Sequence, residues 1–317
     1  MSVFEHSEVY SPKYHALVEY AVAHEKVHWI EQDVNLQDDV EQYKRGAITE
    51  DEKQLLKSIL RLFTEADKAV GQGYLDVLIP LFKNHEARSM LTSFAAREFL
   101  HARAYALLND TLGFGEEFYY EFLDWAEMKE KSEFMLLQES TGDKYRDGLL
   151  FLAKQTLVEG ISLFASFVML LNFDRKGKMP GMVDVVKWSI NDEGENHVTG
   201  NSYLFKLALE EKPYLVTDDF KLSIYNTVRE LVRLEDAFID VCFENRTVAD
   251  LNPEDVKQYI RYIADIRLIQ LGLKPNWDVS TNPLPWVDTL IGKTEASFFE
   301  RQVVEYSKAN LSGEWVY

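Results

Sequence analysis

Cysteine is nearly absent: the 317-residue chain carries one, Cys242. A lone cysteine forbids an internal disulfide and cannot build a thiolate metal site. It is the usage of a reducing cytosol, so a cytoplasmic protein is expected. In the run DAFIDVCFE it reads as a small buried hydrophobe. Proline (8) and glycine (15) are few for this length, which leans towards helix. Basic charge is also scarce, with 34 Lys and Arg against 53 Asp and Glu and a formal net charge of −19. Nothing offers a basic face to a phosphate backbone, so nucleic acid is not expected as a direct partner. No apolar run approaches the ~18 residues of a membrane span, and MSVFEHSEVY has no basic-then-apolar signal. The longest apolar stretch, ISLFASFVMLL, has the length of a buried core helix, and no membrane association is expected.

What is present is a chain with 46% hydrophobic and 27% charged residues, long enough to bury a large core. Residues 1–48 read as an irregular arm with one helix near 13–27 and an acidic turn, HWIEQDVNLQDD; they contain no phosphate-binding glycine loop. Thr49 with Glu52 forms a capping-box pattern that should open a long helix. Leu55, Ile59, Leu62, Phe63, Ala66 and Val70 follow at helical spacing, and Pro80 should end or kink it. Further helices are expected at 86–109, 116–137, 144–172, 181–211, 215–245 and 253–272, with a short one at 296–309. The pattern predicts an all-α bundle over 49–275, with the arm 1–48 packed on it and a proline-rich C-terminal arm and tail over 276–317.

Four of these helices carry ionisable residues on apolar stripes. They are Asp67 in FTEADKAV, Glu98 and His101 in REFLHARAYALLND, Glu159 in TLVEGISLF, and Glu193 and His197 in INDEGENHV. Glu159 is the hardest to explain as a surface residue, because QTLVEGISLFASFVMLL has no polar face to receive it. An unpaired buried carboxylate costs several kcal/mol or stays protonated. A shared partner resolves every case at once: the charges of four carboxylates balance two divalent cations. An acid from each of two helices and a Glu-x-x-His pair from each of two others is the dimetal pattern of ferritin-like bundles. Carboxylate and imidazole donors without sulfur suit iron or manganese. One departure stands out, since Glu193 and His197 are four apart instead of three. Either Glu193 ligates across a π-bulge, or Glu195 takes over from an unfavourable side of the helix; Glu193 is the preferred reading.

With those residues in view, the chain resembles the small, radical-generating subunit of class I ribonucleotide reductase. The landmarks are HWIEQDV, FTEADKAV, HARAYALLNDTLG, VEGISLFASF, WSINDE, HVTGN, YIADIRLIQLGL, NPLPW and FFERQVVEYSKA, spread over nearly the whole length. The resemblance implies a ferritin-like helical bundle whose dinuclear iron or manganese centre reacts with an oxygen species. The resulting oxidising equivalent serves a separate large catalytic subunit that reduces ribonucleotides to deoxyribonucleotides. It also implies that Asp67, Glu98, His101, Glu159, Glu193 and His197 are the metal ligands and that Tyr105 is the radical site. Leu163 and Phe167 would form the apolar pocket beside Tyr105. Trp29 and Asp192, with His101, would carry radical transfer, and Tyr306 is a candidate relay in the tail. In some relatives the oxidising equivalent stays on the metals, so Tyr105 permits a tyrosyl radical without requiring one. A homodimer is expected, with the tail SKANLSGEWVY docking on the large subunit through Trp315 and Tyr317. The alternative is a ferritin-like dimetal oxidase acting on a bound ligand; a third reading, an iron store, sits poorly with the additional helices and the tail.

Overall fold

The capping box at Thr49 forms as read: the Glu52 amide donates to the Thr49 hydroxyl at 3.2 Å, and the Glu52 carboxylate accepts from the Thr49 amide at 2.8 Å. It opens one of the helices that frame the core. The computed structural model describes residues 2–138 and 140–292, and all regular structure among them is helical. In chain order come α1 (His15–Lys26), α2 (Gln37–Lys44) and α3 (Glu50–Gly73). The last of these runs on through a π turn, Tyr74–Leu78, into Ile79–Leu81. Next are α4 (His85–Leu112), α5 (Glu116–Tyr120), α6 (Ala126–Leu136) and α7 (Lys144–Asp174). Then α8 spans Pro180–Ile190, a π turn Asn191–His197, and Val198–Glu211; α9 (Asp218–Phe243) and α10 (Pro253–Gln270) follow.

Helix α3 packs along α4, α1 lies across α4, and α7 sits between α8 and α9. Pro80 falls in the last turn of α3, where the chain turns extended at Phe82, as a residue without an N–H dictates. Helix α7 has every side chain from Gly148 to Phe173 buried. Among the described residues it alone has the length (31 residues) and apolar composition of a membrane span, which corrects the expectation of none. Its most apolar window is wholly covered by protein, as a central core helix requires. Cys242 is fully buried on α9, and burial pushes its thiol above the usual range.

Two expectations need correction. The 116–137 segment is broken: a 3-10 turn over Glu121–Asp124 and an extended Trp125 separate α5 from α6. The break lets Phe118 and Trp125 both lie against the Arg61 guanidinium, 5.1 and 5.8 Å from the ring centres, while Glu121 pairs with the same group. The N-terminal segment is also more ordered than an arm with one helix, because α2 is present. Buried Asp39 of α2 accepts the amides of Gly181 (2.8 Å) and Met182 (2.9 Å) and so caps the start of α8 from outside its own chain neighbourhood.

Three core helices contain π turns, in α3, α7 (Val158–Ser162) and α8. A wide turn misaligns carbonyls, and here side chains meet several of them. Arg267 donates to the Gly160 carbonyl at 3.3 Å, Asn196 to Asn191 at 3.0 Å, and Gln155 to Val70 at 3.0 Å. Gly160 leaves room for this, since a Cβ there would lie 2.5 Å from the Arg267 Nε.

Candidate metal centre

The ionisable residues of the inner helices converge on one buried place. Asp67, Glu98, His101, Glu159, Glu193 and His197 are all fully excluded from solvent. Helix α4 is regular, so Glu98 and His101 share a face at i, i+3, with His101 Nδ1 3.6 Å from Glu98. In α8 the π turn takes more residues per turn, so a residue at i+4 falls at roughly the offset that i+3 has in an α-helix. Glu193 and His197 therefore face inward together, while Glu195 is exposed. Gly194 between them lies over Phe164, where a Cβ would come within 3.1 Å of the ring.

Two groups of donors form, each with its atoms within 4.8 Å of one another: Glu98, His101 and Glu193, and Glu98, Glu159 and His197. Glu98 belongs to both. His101 Nδ1 is 3.3 Å from Glu193, and His197 Nδ1 is 3.0 Å from Glu98 and 3.2 Å from Glu159. Asp67 lies outside both groups, yet it is buried with neither carboxylate oxygen hydrogen-bonded. Both oxygens of Glu98 and of Glu193 are likewise without hydrogen bonds, as is His101 Nδ1. Buried polar atoms are almost always satisfied, so this many orphans in one place fit a site built to hold cations. Their chemistry, oxygen and imidazole nitrogen, fits hard or borderline divalent metals.

Around this cluster the sequence-named residues separate into two sets. His101 Nε2 is 3.1 Å from the Asp192 carboxylate, which also accepts from Trp29 Nε1 at 2.9 Å and from Arg97 at 3.1 Å. Trp29 stacks on His101 with ring centres 5.7 Å apart. On the other side, the fully buried Tyr105 phenol donates to Ser189 Oγ at 3.2 Å and stacks on Phe63 at 4.3 Å. Phe167 reaches this stack through Phe63, at 5.5 Å, and Leu163 is fully buried at the end of the α7 π turn. Tyr306, Trp315, Tyr317 and the helix expected at 296–309 lie outside the described residues.

Several neighbours were not named from the sequence. Tyr74 donates to Glu159 at 2.5 Å and accepts from Asn201 at 2.7 Å. His24 of α1 faces His197, with Nε2 to Nε2 at 3.1 Å, and its Nδ1 is 2.7 Å from Ser93 Oγ. Arg97 and Phe63 complete the surroundings. Two of these carried a signal: His24 continues the buried stripe Leu17, Ala21 of α1, and Tyr74 stands two turns beyond Asp67.

The match that decides identity is to the family model described as ribonucleotide reductase, small chain, over residues 7–283. The chain belongs to that family. The probable ribonucleoside-diphosphate reductase small subunit of Invertebrate iridescent virus 3 is 38% identical, covering 92% of this chain and 82% of the relative. The beta subunit of Chlamydia pneumoniae is 29% identical over 90% of this chain and 85% of its own. Among solved structures, the ribonucleotide reductase R2 subunit from Clostridium botulinum has a TM-score of 0.82 at 19% identity, over 92% and 94% of the two chains. The dimanganese(II)-NrdF of Streptococcus sanguinis has a TM-score of 0.76 at 19% identity, over 90% and 100%. The all-α architecture is thus the ferritin-like fold of these subunits, and the chain is the small subunit of an oxidoreductase that works with a large subunit.

Burial and mutual repulsion favour protonated forms for part of this cluster. Burial, with the charges of Glu98 and Glu159 and against that of His101, pushes the Glu193 carboxyl up to about 8. Burial likewise lifts Asp67 well above its usual range. Burial opposes the charged form of His197, but Glu159 and Glu98 outweigh it and raise the imidazole to about 10. Burial also works against ionised Glu98, yet His101 and His197 hold it at about 2. Glu193 and His197, both raised, stabilise the metal-free fold below about pH 4.5 and 6.5 respectively, and that contribution is lost as pH rises through about 8 and 10. Glu98 works the other way, contributing above about pH 4.5 and losing it as pH falls towards 2. A metal held by Glu193 and His197 would have to displace those protons, so its affinity would rise with pH between 6 and 8, by about tenfold per unit for each proton released. Calorimetric titration with Mn(II) in buffers of different ionisation enthalpy measures that release; equal heats in all buffers would contradict it.

Proposed function

We propose that the chain is the radical-generating subunit of a class I ribonucleotide reductase, with Asp67, Glu98, His101, Glu159, Glu193 and His197 as ligands of a dinuclear centre. The observation that carries this is the sharing of Glu98 between two donor groups, as a bridging carboxylate would be shared. Two iron or manganese ions held there would supply oxidising power drawn from dioxygen or superoxide. The donor set suits either metal.

The chain's own residues do the rest. Carboxylates and imidazoles hold the charge balance, with Asp67 completing the set. Tyr105 stores the oxidising equivalent by losing one electron and its phenolic proton, unless that equivalent remains on the metals. A phenoxyl radical persists only where water and reductants are kept out, and full burial with Phe63 across the ring supports that role.

The hydrogen-bonded sequence Trp29, Asp192, His101 supports a route for electron transfer between the centre and the protein surface. Arg97 beside Asp192 and the His101 contact hold that carboxyl at about 2 against the effect of burial, so it stays an acceptor for the Trp29 N–H. The tail SKANLSGEWVY is proposed to dock on the large subunit, and the small subunit to act as a homodimer. Deoxyribonucleotide formation by the metal-loaded chain with a matched large subunit tests the whole reading; its absence at full metal loading would sink it. Trp29→Phe is expected to leave metal content and radical yield near the parent values while nucleotide reduction falls by orders of magnitude. Paired measurement of radical yield and turnover checks this, and parental turnover would remove Trp29 from the route.

A further inference from the structure

We infer that His24, on a helix outside the ligand-bearing set, is a positioning residue that fixes the ring of His197 for one of the two metal positions. The inference rests on the metal-site reading above. His24 and His197 present Nε2 to Nε2 at 3.1 Å, a separation that requires one proton between them. His197 Nδ1 faces Glu98 and Glu159 at 3.0 and 3.2 Å, so a metal at that position takes the Nδ1 lone pair. The His197 proton must then sit on Nε2 and be donated to His24. His24 in turn carries its own proton on Nδ1 and donates it to Ser93 Oγ at 2.7 Å. With the metal on His197 Nδ1, only one tautomer of each ring satisfies both contacts of His24. Phe94 packs against both rings, with centres 5.1 Å from His24 and 4.4 Å from His197, which limits tilting.

The two metal positions are consequently unlike. His101 is backed by the Asp192 carboxylate, whereas His197 is backed by an imidazole. An anionic acceptor makes a ligating imidazole a stronger donor than a neutral one does. Glu159 also gives up electron density to the Tyr74 hydroxyl at 2.5 Å, whereas the polar neighbour of Glu193 is the His101 ring itself, 3.3 Å away. Both differences weaken the same side. The position of Glu98, Glu159 and His197 is therefore the weaker one, filled second, and it depends on His24 to keep the His197 ring in place.

Titration of the full-length, metal-free protein with Mn(II) tests this, with free Mn(II) read by electron paramagnetic resonance. The parent should bind two ions in two steps. His24→Phe should leave the first step unchanged and weaken the second by about 10- to 100-fold, the usual effect of losing an outer partner of a ligand. His24→Gln, which keeps an acceptor for the His197 proton, should recover most of the loss. Ser93→Ala, at a half-buried position, should show a smaller loss at the same step, and it serves if His24→Phe does not fold. Thermal unfolding of the metal-free variants monitors the fold separately. An unchanged second step in His24→Phe and Ser93→Ala overturns the inference, and so does equal impairment of the Phe and Gln variants. Loss spread evenly over both steps also overturns it. A parent protein that binds no Mn(II) overturns the metal-site reading itself.

Discussion

Glu98→Ala is expected to take metal content from two ions per chain to below one and nucleotide reduction to background. No other side chain stands in both donor groups, so no other single substitution removes a ligand from each position. Helix α4 is regular through this point, so Glu98 is held between the two groups by its own backbone. The loss extends to the metal-free state, where Glu98 is the anion facing both His101 and His197. Without it the two imidazoles have less reason to hold their protons, and part of the stability at neutral pH goes with them. Glu159→Ala is the comparison, because it removes a donor from one group only and should leave one ion bound. Elemental analysis after anaerobic loading and gel filtration distinguishes the three proteins. Two ions retained by Glu98→Ala would end the assignment of this cluster as the metal centre.

Tyr105→Phe should abolish the tyrosyl radical signal and lower turnover by orders of magnitude while metal content stays at the parent level. The substitution removes one hydroxyl whose partner, Ser189, is 3.2 Å away, and it leaves the stack on Phe63 intact. A lost hydrogen bond of this kind costs about 0.5–1.5 kcal/mol, so the fold persists and the functional loss can be read cleanly. Burial, then the charge of Asp67, raises the Tyr105 phenol well above its ordinary value, which keeps it protonated until it is oxidised. Tyr74 is the built-in control: a second fully buried phenol, hydrogen-bonded directly to Glu159. Electron paramagnetic resonance on Tyr105→Phe and on the Tyr74, Tyr105 double phenylalanine variant tells the two phenols apart. Undiminished turnover in Tyr105→Phe would place the stored equivalent on the metals.

Much of this architecture is legible in the sequence because helical burial writes a 3.6-residue period, and acids on an apolar stripe break that period conspicuously. Asp67, Glu98, Glu159 and Glu193 stand out for that reason alone. The residues that escaped notice are those whose role depends on a partner far along the chain. His24 meets His197 across 173 positions, and Tyr74 meets Glu159 across 85. Nothing local distinguishes such a histidine from one that simply fills a core. Helix α2 was missed because its sequence, QDDVEQYK, is polar; its tie to the core is Asp39 reaching the start of α8. The break at Trp125 escaped for a related reason, since local propensity favours continuing the helix and Arg61, distant in sequence, is among the groups that reward ending it.

The wide turn in α8 has a consequence for everything downstream of it. In a regular helix each added residue rotates the rest by about 100°, so an extra residue between Glu193 and His197 would turn the following segment away from the core. A π turn absorbs that rotation within one loop of backbone. Beyond it, Gly200, Asn201, Leu204, Phe205 and Ala208 all remain buried. The helix keeps its phase against its neighbours on both sides of the irregularity. The one-residue difference in Glu-to-His spacing between α4 and α8 is confined to a few peptide units, and the packing is continuous on either side of it.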